Sequence, residues 1–280
     1  FRRVLFRSNR PFGVFLFVGP TGVGKTHTAQ LLAEYLFGDR HRLIRVNMAD
    51  YAGDDGHAQL FGHPQGHNAD VRRGVLTNRL RGHPFGVLLL DEFEKAHAKV
   101  HDGFLQLFDE GRFLNGAGET VAVTSLIVIA TSNCGAEVYR EPGLGFRSAS
   151  DAQVLDAELD RRLYRSFRFE LLNRFDRVVH FHPLDRANIR AIARRELDEL
   201  LKRDGILARN LNVEFDAEVL EWLAAHGYHP HYGARFLRRV VERQISGSLA
   251  DAIVLQQPPA GSRINVGVRD RKSTRLNSSH

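Results

Sequence analysis

Gly19-Pro20-Thr21-Gly22-Val23-Gly24-Lys25-Thr26 stands between an apolar run over residues 14–18 (Val-Phe-Leu-Phe-Val) and a helix-forming stretch over residues 29–36. Strand, glycine loop and helix in that order make a phosphate cradle. The glycines let backbone N–H groups turn inward onto an anion, and the first turn of the following helix adds its partial positive charge. Lys25 is placed to reach the outer phosphates and Thr26 to ligate Mg²⁺. The stretch therefore predicts a P-loop nucleotide site in an α/β domain.

Further apolar runs at 43–46, 87–90, 125–130 and 178–181 read as strands, with amphipathic or mixed segments between them. Their apolar character is continuous rather than alternating, which argues for a parallel sheet buried on both faces and hence for a five-stranded α/β core. After Pro183 the pattern changes. Residues 186–202, 217–225 and 234–254 read as helices, with short strands at 212–215 and 263–266. These patterns predict a large domain over 9–183 and a small, mainly α-helical domain over 184–268, with a loop at Gln256-Gln257-Pro258-Pro259.

The second chemical element is Val87-Leu88-Leu89-Leu90-Asp91-Glu92. Two carboxylates at the C-terminal end of a buried strand fall where open α/β sheets place their ligands. Asp91 can hold the hydration shell of Mg²⁺, and Glu92 can polarise a water for attack on a γ-phosphate. An isolated Asp-Glu pair would read as two acids opening a helix over 93–97; beside a P-loop the chemical reading is the better one. Thr131-Ser132-Asn133 closes the fourth strand, and Asn133 can orient the same water by hydrogen bonding. On its own this tripeptide would mean no more than a turn at a strand end.

Both ends of the chain stand apart. Residues 1–8 can be encoded as an oligonucleotide whose reverse complement, shifted by one base, encodes residues 270–277, so 1–8 and 269–280 are read as added tails resembling a translated sequencing adapter. That reading makes the natural protein longer on both sides. Each tail carries a charge of +3, and subtracting both from the net +6 leaves a neutral core. The basicity that would suggest nucleic acid as a partner thus belongs to the tails, and nucleic acid is disfavoured. Cys134 is the only cysteine, so no disulfide can form within the chain, and a reducing, cytoplasmic setting is expected. No apolar run approaches the roughly 20 residues needed to span a bilayer, so no membrane role is expected.

Taken together, residues 19–26, Leu88-Leu89-Leu90-Asp91-Glu92-Phe93-Glu94-Lys95-Ala96-His97, residues 131–133, Leu171-Leu172-Asn173-Arg174-Phe175-Asp176 and Gly233-Ala234-Arg235-Phe236-Leu237-Arg238-Arg239 resemble, in order and spacing, the Clp/ClpB class of AAA+ protein-remodelling ATPases. The similarity spans about residues 9–267 and is greatest to the C-terminal ATPase module of the two-ring members, small lid included. It implies ATP with Mg²⁺, a homo-oligomer working as a hexameric ring, and polypeptide substrates. By the same resemblance Arg174 corresponds to the arginine finger that reaches the γ-phosphate in a neighbouring subunit, and Arg235 to the lid arginine that senses that phosphate. An ordinary surface salt bridge is the alternative for either. Leu144-Gly145-Phe146 is similar to the small loop with which some members dock onto a ClpP-type peptidase; a fold back onto its own domain is the alternative.

One departure stands out. Where the family carries a glycine–aromatic–valine–glycine segment lining the central pore, this chain has Gly66-His67-Asn68-Ala69-Asp70. An aromatic ring offers a large, sequence-tolerant apolar contact, so His67 and Asn68 should weaken the grip on a threaded chain or change what is gripped. His57, His63 and His67 are read as solvated loop residues rather than metal ligands, because Pro64 and Gly66 break the helix that would align the last two. Phe169 replaces the proline usual before the Glu-Leu-Leu-Asn-Arg run, a change expected to be tolerated. A nucleotide-switched assembly or scaffold module that does not thread polypeptide is the second functional expectation.

Overall fold

A computed structural model describes residues 9–140, 149–229, 233–269 and 273–279. The chain divides into two compact units, one built from residues up to Pro20 with Gly24–His182, the other from Thr21–Val23 with the chain from Pro183 onward.

The first unit runs β1 (Gly13–Val18), α1 (Lys25–Phe37), β2 (Leu43–Asn47), α2 (Gly56–Phe61), α3 (Ala69–Leu80), β3 (Gly86–Asp91), α4 (Ala98–Glu110), a hairpin of β4 (Arg112–Leu114) and β5 (Thr120–Ala122), β6 (Leu126–Ser132), α5 (Ala149–Ser166), α6 (Phe169–Leu172) and β7 (Arg177–His180). Five strands pair in the order β2-β3-β6-β1-β7, every ladder parallel. The core shows why the three central strands, β3, β6 and β1, read as unbroken apolar runs. Val14, Leu16, Leu88, Leu90, Val128 and Ala130 bury one face against Leu60, Phe61, Phe104 and Phe108, while Phe17, Val87, Leu89 and Ile129 bury the other against Ala29 and Ala33 of α1. Alternate residues of a strand point to opposite faces, so covering both faces demands apolar residues at every position. The five-stranded parallel sheet expected from the sequence is the one found.

Beneath the acidic end of β3 lies a phenylalanine cluster. Phe93 is fully buried and meets Phe104, Phe108, Phe167 and Phe175 at ring-centroid distances of 5.5, 6.4, 5.8 and 6.2 Å. The helix considered for residues 93–97 is instead a single 3₁₀ turn, Phe93–Lys95, after which His97 caps α4 by accepting the Lys99 N–H.

The second unit contains α7 (Arg186–Leu201), α8 (Asp204–Leu207), β8 (Asn212–Phe215), α9 (Ala217–His226), α10 (Ala234–Val240), a π-helical turn (Val241–Ser246), α11 (Gly247–Gln256), β9 (Arg263–Arg269) and β10 (Ser273–Ser279). Asp185 caps α7, its carboxylate accepting the Asn188 N–H at 2.6 Å. Leu237, Val241, Ile245 and Leu249 recur every fourth residue and share one core. An α-helix would rotate such a repeat by about 40° per step. The wider π turn absorbs that drift and keeps the four side chains on one face. β8 and β9 pair in parallel, and β10 pairs antiparallel to β9, so part of the segment read as a tail, 273–279, forms a strand.

Candidate nucleotide site

The phosphate loop leaves β1 and enters α1 at Gly24, whose φ of 106° places it in a conformation that residues with a Cβ rarely adopt. No side chain caps the first turn of α1, and no acidic residue lies in it. Its N-terminal N–H groups therefore face the loop with their partial positive charge unopposed by any carboxylate of that turn, as an anion site requires.

Lys25 is 7% exposed and its ammonium donates to Gly19 O at 2.5 Å, Pro20 O at 2.8 Å and Asn133 Oδ1 at 2.9 Å. A buried ammonium needs such acceptors, and three are supplied by the loop itself and the end of β6. Strand register delivers Asn133: β6 lies between β1 and β3, so the residue just past Ser132 stands between the phosphate loop and the two acids.

Asp91, 6% exposed, ends β3. Its Oδ1 accepts from Thr131 Oγ1 at 2.5 Å, and its Oδ2 lies 3.5 Å from Thr26 Oγ1. A carboxylate and a hydroxyl converging from β3 and α1 are the hard oxygen donors that Mg²⁺ takes, and their junction beside an uncapped helix N-terminus fits a metal–nucleotide complex. Glu92 follows in the left-handed region at φ 58°, ψ 46°. That conformation is costly for a residue with a side chain, and such strain gathers at functional sites. It is held by the Glu92 N–H donating to Thr131 Oγ1 at 3.2 Å, so one hydroxyl links both acids. The Glu92 carboxylate is ion-paired with Lys95 at 2.6 Å, a hydrogen bond that raises the Lys95 pKa.

With this geometry in place, comparison with known proteins is decisive. The family model described as AAA domain (Cdc48 subfamily) matches residues 10–178. The chain belongs to the AAA family. A second model, the C-terminal, D2-small domain of ClpB protein, matches residues 184–266 of this AAA chain. Among curated relatives it is 38% identical over 264 residues to the chaperone protein ClpB of Rickettsia conorii, covering 94% of this chain and 30% of that protein. It is 39% identical over 258 residues to the ClpB of Bdellovibrio bacteriovorus, covering 92% of this chain and 29% of the relative, and 38% identical over 259 residues to that of Meiothermus ruber, covering 92% and 30%. The chain thus spans about 30% of the length of the relatives it matches. The resemblance drawn from the five motifs holds.

Other residues singled out in this AAA chain lie elsewhere. Arg174, in the turn between α6 and β7, is ion-paired with Asp109 of α4 at 2.6 Å, and its carbonyl accepts from Arg10 at 2.7 Å. Its neighbour Phe175 meets Phe93, the neighbour of Glu92, edge to face. Arg235 is exposed on α10. Asn68 caps α3, accepting the Val71 N–H at 2.8 Å, while His67 is exposed beside it. His57 packs at a tilt on Phe61, and His63 Nδ1 accepts the Gln65 N–H. Leu144, Gly145 and Phe146 lie outside the described residues. Among the described residues no helix is long and apolar enough to cross a membrane.

Two site residues escaped the reading of the sequence. Glu94 accepts the Asn133 N–H at 3.1 Å and so fixes the loop that presents Asn133. Arg45 bonds Asp91 directly. A signal for Arg45 existed: it is the one charge inside the otherwise apolar run Leu43-Ile44-Arg45-Val46, and a charge entering a buried sheet calls for a partner.

Proposed function

We propose that this chain is the ATP-hydrolysing module of a protein-remodelling machine, working in a homo-oligomeric ring on polypeptide substrates. The observation that carries the reading is the convergence of Lys25, Thr26, Asp91 and Asn133 at the C-terminal end of the sheet. Phosphates held at the start of α1 would draw the Lys25 ammonium away from its carbonyl acceptors. Thr26 and Asp91 would hold Mg²⁺, which when bound supplies charge neutralisation to the phosphate oxygens. Glu92 serves as the base that takes a proton from the attacking water, and Asn133 orients that water. Arg174, freed from Asp109, is offered to the pocket of a neighbouring copy, where an arginine supplied in trans is worth on the order of 10³-fold or more in rate. Arg235 serves as the arginine that senses the bound phosphate.

Polypeptide as substrate is supported by the relatives, which are chaperone proteins. The second reading, a nucleotide-driven assembly switch, is favoured by a single observation: the candidate pore segment holds His67 and a helix-capping Asn68 where an aromatic would grip.

The test is Glu92→Gln. It is expected to keep ATP binding while turnover falls by about 10² or more, the scale of a lost general base; unchanged turnover would remove Glu92 from its role. In the ring-forming protein, an unfolded polypeptide such as casein should stimulate hydrolysis. Absence of both stimulation and unfolding would favour the switch.

A further inference from the structure

We propose that Arg45 is a resident counter-ion that occupies Asp91 until a divalent cation displaces it, so that this side chain sets how tightly the site takes its metal. The inference rests on the reading of Asp91 as a metal-holding residue.

Strand register brings the pair together. Asn47 of β2 stands opposite Asp91 of β3, and Arg45, two residues back, shares their face. Its guanidinium reaches Asp91 Oδ2 through Nε at 3.0 Å and Nη2 at 2.5 Å. This is the oxygen that also lies nearest the Thr26 hydroxyl, whereas Oδ1 is taken by Thr131. The guanidinium therefore sits on the oxygen that a cation shared with Thr26 would need.

Exposure decides which partner yields. The Asp91 side chain is 9% exposed and that of Arg45 52%. A buried carboxylate is costly without a cation, so something must neutralise Asp91 in every state. The arginine stem already stands half in water and loses little by swinging outward. Its backbone stays where it is, because β2 is laddered to β3 and the Arg45 carbonyl accepts from Arg79 of α3. A guanidinium and a divalent ion on one carboxylate oxygen repel, so the two occupancies exclude each other.

Mn²⁺ is the probe, its free fraction read by electron paramagnetic resonance with the chain saturated in ADP. Arg45→Met, which keeps the stem and removes the charge, is expected to tighten Mn²⁺ binding roughly tenfold, the scale of one unit charge lifted from a few ångströms away. Arg45→Lys, with the charge kept, is expected to stay near the wild-type value. Unchanged or weaker Mn²⁺ binding in Arg45→Met overturns the inference. Asp91→Asn separates the two levels: it should weaken Mn²⁺ binding, and if it does not, the assignment of Asp91 to the metal falls as well. Should Asp91→Asn weaken binding while Arg45→Met fails to tighten it, only the counter-ion role is lost.

A measurement on the unaltered chain guards against a variant that does not fold. The Nε–H resonance of Arg45, identified by its absence in Arg45→Lys, should lose its hydrogen-bonded shift on titration with Mg²⁺ and ADP. Persistence of that shift at saturation would also overturn the proposal.

Discussion

The C-terminal edge of the large sheet and the segment from His63 to Asp70 belong to one unit, yet they are built on opposite terms. At the edge, Lys25 and Asp91 are buried and their charges are met by named partners: three acceptors for the ammonium, and Thr131, Arg45 and Thr26 around the carboxylate. In the segment almost every side chain is exposed, and what is fixed is the base, where Gly74 (φ 78°) comes so close to Gly62 that an added Cβ would lie 2.3 Å from its nitrogen. A buried network dictates residue identity because an unmatched donor or acceptor there is expensive. An exposed tip dictates almost nothing once its base is set, so His67 can stand where an aromatic was expected without cost to the fold.

The comparison breaks if edge and segment prove equally tolerant. The largest difference is expected from Phe93→Ala, which empties the aromatic floor under the edge and should cost about 3–5 kcal/mol in denaturant unfolding. Next comes Thr131→Val, which keeps the shape but removes the hydroxyl serving Asp91 Oδ1 and the Glu92 N–H. A loss of about 1–3 kcal/mol is expected, with hydrolysis impaired beyond what stability explains. A smaller loss, about 1 kcal/mol, should follow Asn68→Ala, through the helix cap alone. If His67→Ala, which touches neither cap nor core, cost as much as Thr131→Val, the contrast between the regions would be wrong.

The same contrast explains what the sequence let one read. The central strands β1, β3 and β6 were legible because two covered faces force unbroken apolar runs, the edge strands β2 and β7 from shorter runs, and the P-loop because its glycines and lysine answer one chemical demand. The β4–β5 hairpin was not, since each strand is three residues long, too short for a period to show. The left-handed turn at Glu92 was not legible either, because propensity cannot register such a residue; that conformation is held by Thr131, 39 residues later. Arg45 and Asp91 lie 46 residues apart in sequence and meet only through strand register. Partners supplied by tertiary pairing are invisible to local pattern, and the edge of the sheet depends on them most.

The smallest effect concerns pH and tests the edge from beneath. His101 of α4 is half-buried between Phe93 and Phe167, and its Nε2 lies 2.9 Å from Phe93 O, joining the helix to the turn after Glu92. Burial pushes its pKa below the ordinary value, outweighing the carbonyl contact and Asp102, which pull upward. The folded state thus favours the neutral ring, which can donate Nε2–H to the carbonyl. Above the unfolded value of about 6.5 both states are neutral and the contribution of His101 is fully present. As the pH falls through about 6.5 the unfolded chain takes up the proton first, so stability declines until the folded-state value is passed. His101→Gln keeps an N–H donor without a titrating group, so its unfolding free energy should fall less steeply than the wild-type value between about pH 6.5 and 5. Parallel curves would mean that the turn carrying Glu92 does not rest on a neutral imidazole.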